Sequence, residues 1–262
     1  MKYGFIGCGN MGGAIAVAIA KNTKDIMLTD RSGKAKALAA ELGCVYTDAV
    51  TICRECERIF LAVKPQNMAE VLQPLQPTLA EKKPLLISMA AGLQIKRIEA
   101  MAGCSLPVIR IMPNTPVAVG SGITLYCHNP LVEDSHLKDF LQDASYCGQW
   151  DLLEESFIDA AGVVSGCGPA YMYMFLDALA KGAVKCGVPE DKAISYAAAT
   201  MIGAAKMVQT TRKNPDDLKN AVCSPGGSTR EGVNVLEEAG FAEIIGNCVA
   251  AAYRRNLELG MK

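Results

Sequence analysis

The feature that most constrains the fold is a cluster of glycines, GCGNMG, at residues 7–12. A short apolar segment, KYGFIG, leads into it, and an alanine-rich segment, GGAIAVAIAKN, follows, so the glycines lie between a predicted strand and a predicted helix. Gly7, Gly9 and Gly12 have the G-x-G-x-x-G spacing, and Asp30 ends a second predicted strand 18 residues after Gly12. Strand, glycines, helix and acid in this order predict a dinucleotide-binding unit.

Each glycine of this cluster has a distinct predicted role. Gly7 permits the tight turn, Gly9 lets the backbone approach a pyrophosphate, and Gly12 lets the helix pack against the strand. Free N–H groups at the start of the helix, which includes Asn10 and Met11, would hold the phosphates together with the positive end of the helix dipole. A merely close-packed strand–helix turn is the alternative, and the agreement of strand, glycines, helix and acid favours the nucleotide site.

The residues after the second strand give conflicting indications about the cofactor. Asp30 would accept a hydrogen bond from the ribose 2′-hydroxyl of NAD and would repel the 2′-phosphate of NADP. Arg31 and Ser32, next to it, are suited to binding that phosphate. We predict NADP on this balance, and NAD stays open as the alternative.

Strand-like and helix-like segments alternate up to about residue 152. The predicted strands are KYGFIG, DIMLTD, RIFLAVKP, PLLISMA, PVIRIMP and SGITLYC. They are apolar throughout, which is typical of a parallel sheet covered by helices on both faces. Ligands of such folds bind at the carboxyl ends of the strands. Further cofactor contacts are therefore expected there from Ala62, Val63, Lys64, Pro65, Met89, Ala90, Ala91 and Asn114.

The pattern changes near residue 152, after which only helical segments are predicted. From EESFIDAAG onward, long runs rich in Ala and Met alternate with short breaks at Gly and Pro. We therefore predict an α/β protein of two domains. Residues 1–152 form an N-terminal Rossmann dinucleotide-binding domain, and residues 153–262 form a C-terminal all-helical domain.

A second glycine cluster, SPGGST at residues 224–229, comes just before or at the start of another predicted helix. Ser228 is followed three residues later by Glu231, which is the capping-box pattern. Successive backbone N–H groups at a helix N-terminus form a concave site for a carboxylate or a phosphate. A capped helix after an ordinary glycine turn explains the same residues, so both interpretations stay open at this point.

Composition and charge exclude several classes of function. The formal net charge of −1 gives no support to a nucleic-acid or anionic membrane partner.

The eleven cysteines show no disulfide framework, so we expect thiols and a reducing compartment such as the cytoplasm. Cys53 and Cys56 lack the second pair that a structural zinc needs, and no metal site is predicted. The apolar residues 3–20 resemble a signal peptide, but their glycines argue against export.

The chain contains only two histidines, His128 and His136, and both lie outside the glycine clusters. A catalytic base needs a positioned partner, and the sequence offers none for either histidine. Hydride delivery to an electrophilic C=N bond would need no strong base, because the cofactor carries the difficult step.

Over essentially its whole length the chain resembles the pyrroline-5-carboxylate reductases. The resemblance is carried by FIGCGNMG, LAVKPQ, MPNTP and SGCGPAY, and above all by DLKNAVCSPGGSTREGVNVLEEAG. It implies reduction of 1-pyrroline-5-carboxylate to L-proline with NADPH or NADH, the last step of proline biosynthesis. It also implies that the helical domain interleaves with that of a partner chain in an obligate homodimer. Such dimers often assemble into a decamer, a pentamer of dimers.

The resemblance further assigns roles to the second glycine cluster. Ser224 opens the substrate loop, and the backbone at Gly226, Gly227 and Ser228 is implied to hold the substrate carboxylate. Thr229 is implied to donate its hydroxyl toward the ring nitrogen, which makes it the expected catalytic residue.

Three positions depart from the family pattern. Cys167 stands where the family usually has Ser, Ala221 where many members have Asn, and Ala49 where some members have an Asn that contacts the cofactor ribose. A β-hydroxyacid dehydrogenase is an alternative, but it would carry a catalytic Lys that SGCGPAYMYMF lacks. A non-catalytic dinucleotide sensor is another alternative, and it would have no need of an anion loop at 224–229.

Overall fold

A computed structural model describes residues 1–260 and contains one eight-stranded sheet. The strands are β1 (Tyr3–Ile6), β2 (Ile26–Thr29), β3 (Val45–Tyr46), β4 (Arg58–Leu61), β5 (Leu85–Ser88), β6 (Val108–Met112), β7 (Gly122–His128) and β8 (Gly148–Leu152). Their order across the sheet is β3-β2-β1-β4-β5-β6-β7-β8. Successive connections lead away from β1 in opposite directions, so a crevice forms outside the carboxyl ends of β1 and β4, where folds of this class bind ligands.

The sheet differs from the sequence prediction near one edge. Strand β7 runs antiparallel to β6, with Ile111 opposite Tyr126, whereas an all-parallel sheet is predicted. The reason is the short connection: residues 113–121 contain only a 3-10 turn at Thr115–Val119, and a parallel crossover needs about a dozen residues or more. Strands β3 and β8 are absent from the prediction, since β3 has two exposed residues and β8 is mostly exposed.

Helices cover both faces of the sheet, as predicted. They are α1 (Asn10–Ile19), α2 (Lys34–Leu42), α3 (Ala49–Glu55), α4 (Met68–Leu72), α5 (Gln76–Lys82), α6 (Ile95–Ala102), α7 (Asp134–Asp143) and α8 (Glu155–Gly162). Phe5 and Phe60 stack in the core on one face, with ring centroids 4.3 Å apart. Their neighbours Ile6 and Ile59 belong to the core on the other face, because successive side chains of a strand point to opposite sides.

A buried ion-pair cluster ties α8 to the sheet. The side chain of Arg110 on β6 is 1% exposed, and its guanidinium lies 2.5 Å from Asp159 Oδ1 and 3.5 Å from Glu155 Oε1. Glu155 Oε1 also accepts a hydrogen bond of 2.7 Å from the amide of Ile95 at the start of α6. A guanidinium so deeply buried needs these carboxylates, since an unpaired charge in the interior is costly. Helix α8 therefore belongs with the sheet although it begins after residue 152.

The chain divides into two compact units at positions that differ from the predicted domain limits. One unit comprises Met1–Pro169 together with residues 252–260, and the other comprises Ala170–Ala251. The division at 1–152 and 153–262 follows composition, and it stays a prediction about domains.

The second unit is helical, as predicted. After a π-helical turn at Val163–Cys167, the helices are α9 (Gly168–Lys185), α10 (Glu190–Thr211), α11 (Pro215–Val222), α12 (Ser228–Glu238) and α13 (Phe241–Gly260), of which α13 belongs to this unit only as far as Ala251. The buried cluster of this unit consists of Ala180, Ala193 and Ala197. Large apolar side chains such as Met174 and Tyr196 are instead exposed. Within residues 1–260, no helix combines the length and apolar character needed to cross a bilayer.

Candidate active site

A cleft of about 540 Å³ opens at the carboxyl ends of β1, β2 and β4. One wall is formed by residues 7–9 after β1 and residues 29–32 at the end of β2. The opposite wall is formed by residues 63–64 after β4 and by residues between Asn67 and Leu75, while residues 48–50 at the start of α3 complete the lining. The cleft therefore lies where the reversal of strand order places ligands in such sheets.

Two glycines of the loop lie too close to other backbone atoms to carry a side chain, whereas the third has free space around it. Gly7 has a φ of +104°, and a Cβ there would collide with the backbone of Ala62. A Cβ on Gly12 would collide with the Gly7 carbonyl and lie 2.7 Å from the Ala62 Cβ. A Cβ on Gly9 would meet nothing within 4 Å. The first and third glycines serve the fold, whereas the second leaves bare backbone facing open space.

The N-terminus of α1 directly follows the bare backbone at Gly9. Gly9 is the N-cap residue, in an extended conformation, and no side chain caps the helix. Asn10 and Met11 begin the helix and are exposed or half-buried, so the first N–H groups have no side-chain acceptor. Such groups, with the helix dipole behind them, are suited to a pyrophosphate, and the residues present fit a dinucleotide.

Cys8 lines the cleft but is not a nucleophile. Burial, followed by the negative charge of Asp30, raises the pKa of the Cys8 thiol to about 12. Its Sγ lies 3.8 Å from the carbonyl oxygen of Thr29. The thiol therefore stays neutral at physiological pH and acts as a small apolar wall.

Hydrogen bonds within the loop after β2 hold the Asp30 carboxylate in place. Asp30 accepts from the Ser32 hydroxyl at 2.6 Å and from the Gly33 amide at 3.0 Å. Partial burial favours a higher pKa for Asp30, but the Ser32 hydroxyl and the backbone amides that follow outweigh it and hold the pKa below its usual value. Asp30 is thus a fixed carboxylate at the edge of the cleft.

Arg31 reaches across the cleft rather than toward Asp30. Its Nη2 lies 2.8 Å from Glu70 Oε1 on α4, and both side chains are 65% exposed. Sequence reasoning missed Glu70, because nothing in the segment MAEVLQPL distinguishes it from a solvated helix residue. Asp48, also missed, lines the cleft and caps α3 by accepting from the Thr51 amide at 2.9 Å.

The predicted residues after β4 and β5 occupy different places. Val63 and Lys64 line the cleft, Ala62 underlies the glycine loop, and Pro65 begins a 3-10 turn. Residues 89–91 follow β5 in the next loop along the same sheet edge and lie outside the lining of the 540 Å³ cleft. Their contact with a nicotinamide ring stays a prediction.

The side chain of Asn114 is committed to the protein. It is 7% exposed; its Nδ2 donates to the Ser165 carbonyl at 3.1 Å, and its Oδ1 accepts from the Ile123 amide at 3.0 Å. Asn114 therefore joins the β6–β7 loop to the π-helical turn. The predicted contact with the cofactor stays untested, and the observed bonds give this residue a positioning role.

The second glycine cluster forms a tight turn within the helical unit. Gly226 has a φ of +67°, and the Gly227 amide donates to the Ser224 carbonyl at 3.0 Å. Lys219 of α11 contacts Glu237 of α12 at 3.0 Å, which braces the helices on either side of the turn. Ser228 and Thr229 lie exposed in the first turn of α12.

The predicted capping box is wrong. Gly227, with a φ of −81° and a ψ of 156°, is the N-cap residue, and Ser228 is already helical, so its hydroxyl is not in the N-cap position. No side chain caps α12. The amides of Arg230 and Glu231 donate to the Gly227 carbonyl, which leaves the amides of Ser228 and Thr229 for another acceptor, the arrangement that binds carboxylates.

The remaining candidate residues do not form a second catalytic group. His128 and His136 do not line the cleft, and His128 Nδ1 lies 3.1 Å from the Asn129 carbonyl oxygen. Cys53 and Cys56, the close pair in the sequence, are buried in the core. Residues 1–260 contain no group of three or more His, Cys, Asp or Glu side chains placed to hold a metal ion.

Known proteins similar to this chain share its length and fold. Residues 155–259 match the family described as pyrroline-5-carboxylate reductase dimerisation, and residues 2–92 match NADP oxidoreductase, coenzyme F420-dependent. The pyrroline-5-carboxylate reductase of Escherichia coli (strain K12) is 38% identical, covering 92% of this chain and 91% of that protein. That of Aquifex aeolicus is 34% identical, covering 95% and 94%. The crystal structure of Plasmodium falciparum pyrroline carboxylate reductase with NADP bound has 33% identity and a TM-score of 0.89, covering 99% and 98% of the two chains.

Proposed function

The chain belongs to the pyrroline-5-carboxylate reductase family, and on that premise we propose that it reduces 1-pyrroline-5-carboxylate to L-proline with NADPH. The observation that carries the proposal is the pair of uncapped helix starts, each preceded by glycines, at Gly9 and at Gly227. Backbone amides of this kind bind anions, and the reaction brings together a pyrophosphate and a small carboxylate. In this proposal the protein is an NAD(P)H-dependent oxidoreductase of amino-acid biosynthesis.

The residues of the chain have distinct tasks in this proposal. When bound, the dinucleotide supplies the hydride that adds to the carbon of the C=N bond. Amides at the start of α1, beside Gly9, hold the pyrophosphate. The backbone of residues 226–228 holds the substrate carboxylate and so fixes the ring, with the Ser228 amide as a donor, since the Gly227 amide already donates to the Ser224 carbonyl. The Thr229 hydroxyl donates a hydrogen bond to the ring nitrogen. Polarising the C=N bond in this way favours addition of hydride to carbon.

The choice of NADPH rests on two supports. The Plasmodium falciparum relative is described with NADP bound, and residues 2–92 match a family of NADP oxidoreductases. Arg31 provides a cation at the edge of the cleft, although Asp30 beside it would serve a 2′-hydroxyl, so NADH remains the second substrate to test.

Oxidation of NADPH and of NADH, followed at 340 nm with 1-pyrroline-5-carboxylate, tests this function. We expect turnover with formation of L-proline, measured by chromatography, and no turnover with a β-keto acid. Turnover of the β-keto acid alone would favour a β-hydroxyacid dehydrogenase. Binding of dinucleotide without turnover of either compound would favour a sensor.

The exposed apolar surface of the helical unit supports a homodimer. Large apolar side chains such as Met174, which is 72% exposed, and Tyr173 and Ile202 face outward, more than an isolated helical unit ordinarily leaves uncovered. Light scattering is expected to give two, or for a pentamer of dimers ten, times the 27.8 kDa chain mass. Met174→Asp should lower that mass and Met174→Leu should preserve it, whereas a monomeric parent chain would refute the dimer.

The cysteines support a cytoplasmic location. Those at positions 8, 53, 56, 127 and 147 are buried thiols, and the described cysteines are free. Free thiols in this number persist in reducing compartments.

A further inference from the structure

Arg31, the cation predicted to bind a cofactor 2′-phosphate, is already paired with an acid from the other wall of the cleft. Arg31 Nη2 and Glu70 Oε1 are 2.8 Å apart, and both residues line the cleft. Both side chains are 65% exposed, so the pair is weak enough for a stronger anion to compete with it. Because Arg31 follows β2 and Glu70 belongs to α4, the pair spans the mouth between the two walls.

The other carboxylates at the mouth of the cleft are bound to other groups and do not pair with Arg31. Asp30 is held by Ser32 and Gly33, as described above, and Asp48 is held by Thr51. Lys64 also lines the cleft. Three carboxylates therefore face two cations, and only the carboxylate of Glu70 is bound to Arg31.

We propose that Glu70 is a specificity-determining residue that reduces the preference for NADPH over NADH by competing with the 2′-phosphate for Arg31. The inference rests on the proposed function, since it takes the cleft to be the dinucleotide site. A 2′-phosphate must displace Glu70 from Arg31, whereas the 2′-hydroxyl of NADH carries no charge and has no need of that cation. Glu70 thus acts on only one of the two cofactors.

Dissociation constants of the parent protein and of Glu70→Gln, measured by calorimetry with NADPH and NADH at low salt, test this inference. Because Glu70→Gln frees Arg31 from its carboxylate partner, it should tighten NADPH binding roughly fivefold and leave NADH binding within about twofold. The gain should shrink as salt is raised, because the pair is exposed. Glu81→Gln removes the same charge from an exposed residue outside the cleft and should change neither constant.

A double variant separates the effect of Arg31 from a general change in charge. In the Arg31→Ala background, the Glu70→Gln change should no longer tighten NADPH binding by more than about twofold, because the competed cation is gone. An unchanged NADPH-to-NADH ratio in Glu70→Gln, or an equal gain with and without Arg31, would overturn the role of Glu70 while leaving the function intact. Failure of the parent protein to bind either dinucleotide would instead refute the proposed function.

Discussion

The Gly9→Val variant is expected to fold like the parent chain and to bind NADPH at least about 100-fold more weakly, since its side chain would occupy the approach to the pyrophosphate. The backbone of Gly9 already has an extended conformation, with a φ of −67° and a ψ of −169°, that any residue adopts. A Cβ there meets nothing within 4 Å, so a side chain at this position begins in open space and not against protein. Replacing glycine by valine at an N-cap costs about 1 kcal/mol or less of stability.

Fluorescence titration with NADPH and thermal unfolding, measured together, check this expectation. Gly12→Val is the contrasting variant, because its Cβ would collide with the Gly7 carbonyl; it should lower the Tm as well as the affinity. Gly13→Ala is the matched control, since its nearest contacts would be 3.7 Å away, and it should retain both properties. Binding of NADPH by Gly9→Val at the parent affinity would contradict the phosphate-binding role of this loop.

The differing predictability of the glycines has a physical basis. Gly7 and Gly12 are required by contacts within one strand–turn–helix unit, and local sequence specifies such units well. The buried strands are equally local in origin: an unbroken apolar run such as RIFLAV predicts a strand covered on both faces. The features that sequence located correctly therefore depend on residues that are close together along the chain.

The features that sequence missed depend on distant residues or on small backbone differences. The antiparallel direction of β7 follows from the length of one connection, which periodicity does not encode. The pairing of Arg31 with Glu70 joins residues 39 positions apart. The capping box failed because the helix begins one residue earlier than the box requires: Ser228 occupies the first helical position, and Gly227 takes the cap. A motif of correct composition does not form when its backbone register shifts by a single residue.

The Thr229→Ala variant is expected to lower kcat about 100-fold while leaving the Kd for NADPH within about twofold. In the proposed mechanism the Thr229 hydroxyl donates to the ring nitrogen, and this hydrogen bond strengthens as negative charge develops there during hydride addition. Loss of one such donor costs roughly 3 kcal/mol in the transition state. Thr229 is exposed in the first turn of α12, so its truncation should change the free energy of unfolding by about 0.5 kcal/mol or less.

Two further substitutions at position 229 distinguish the hydroxyl from the methyl group. Thr229→Ser keeps the donor and should retain kcat within about tenfold, whereas Thr229→Val keeps the shape without the donor and should resemble Thr229→Ala. The Ki for L-proline should change little in all three variants, because the carboxylate is assigned to the backbone of residues 226–228, which none of these substitutions removes. A parent-like kcat in both Thr229→Ala and Thr229→Val would remove this hydroxyl from the mechanism. A weakened Ki that accounted for the whole loss would instead mean that Thr229 binds the carboxylate.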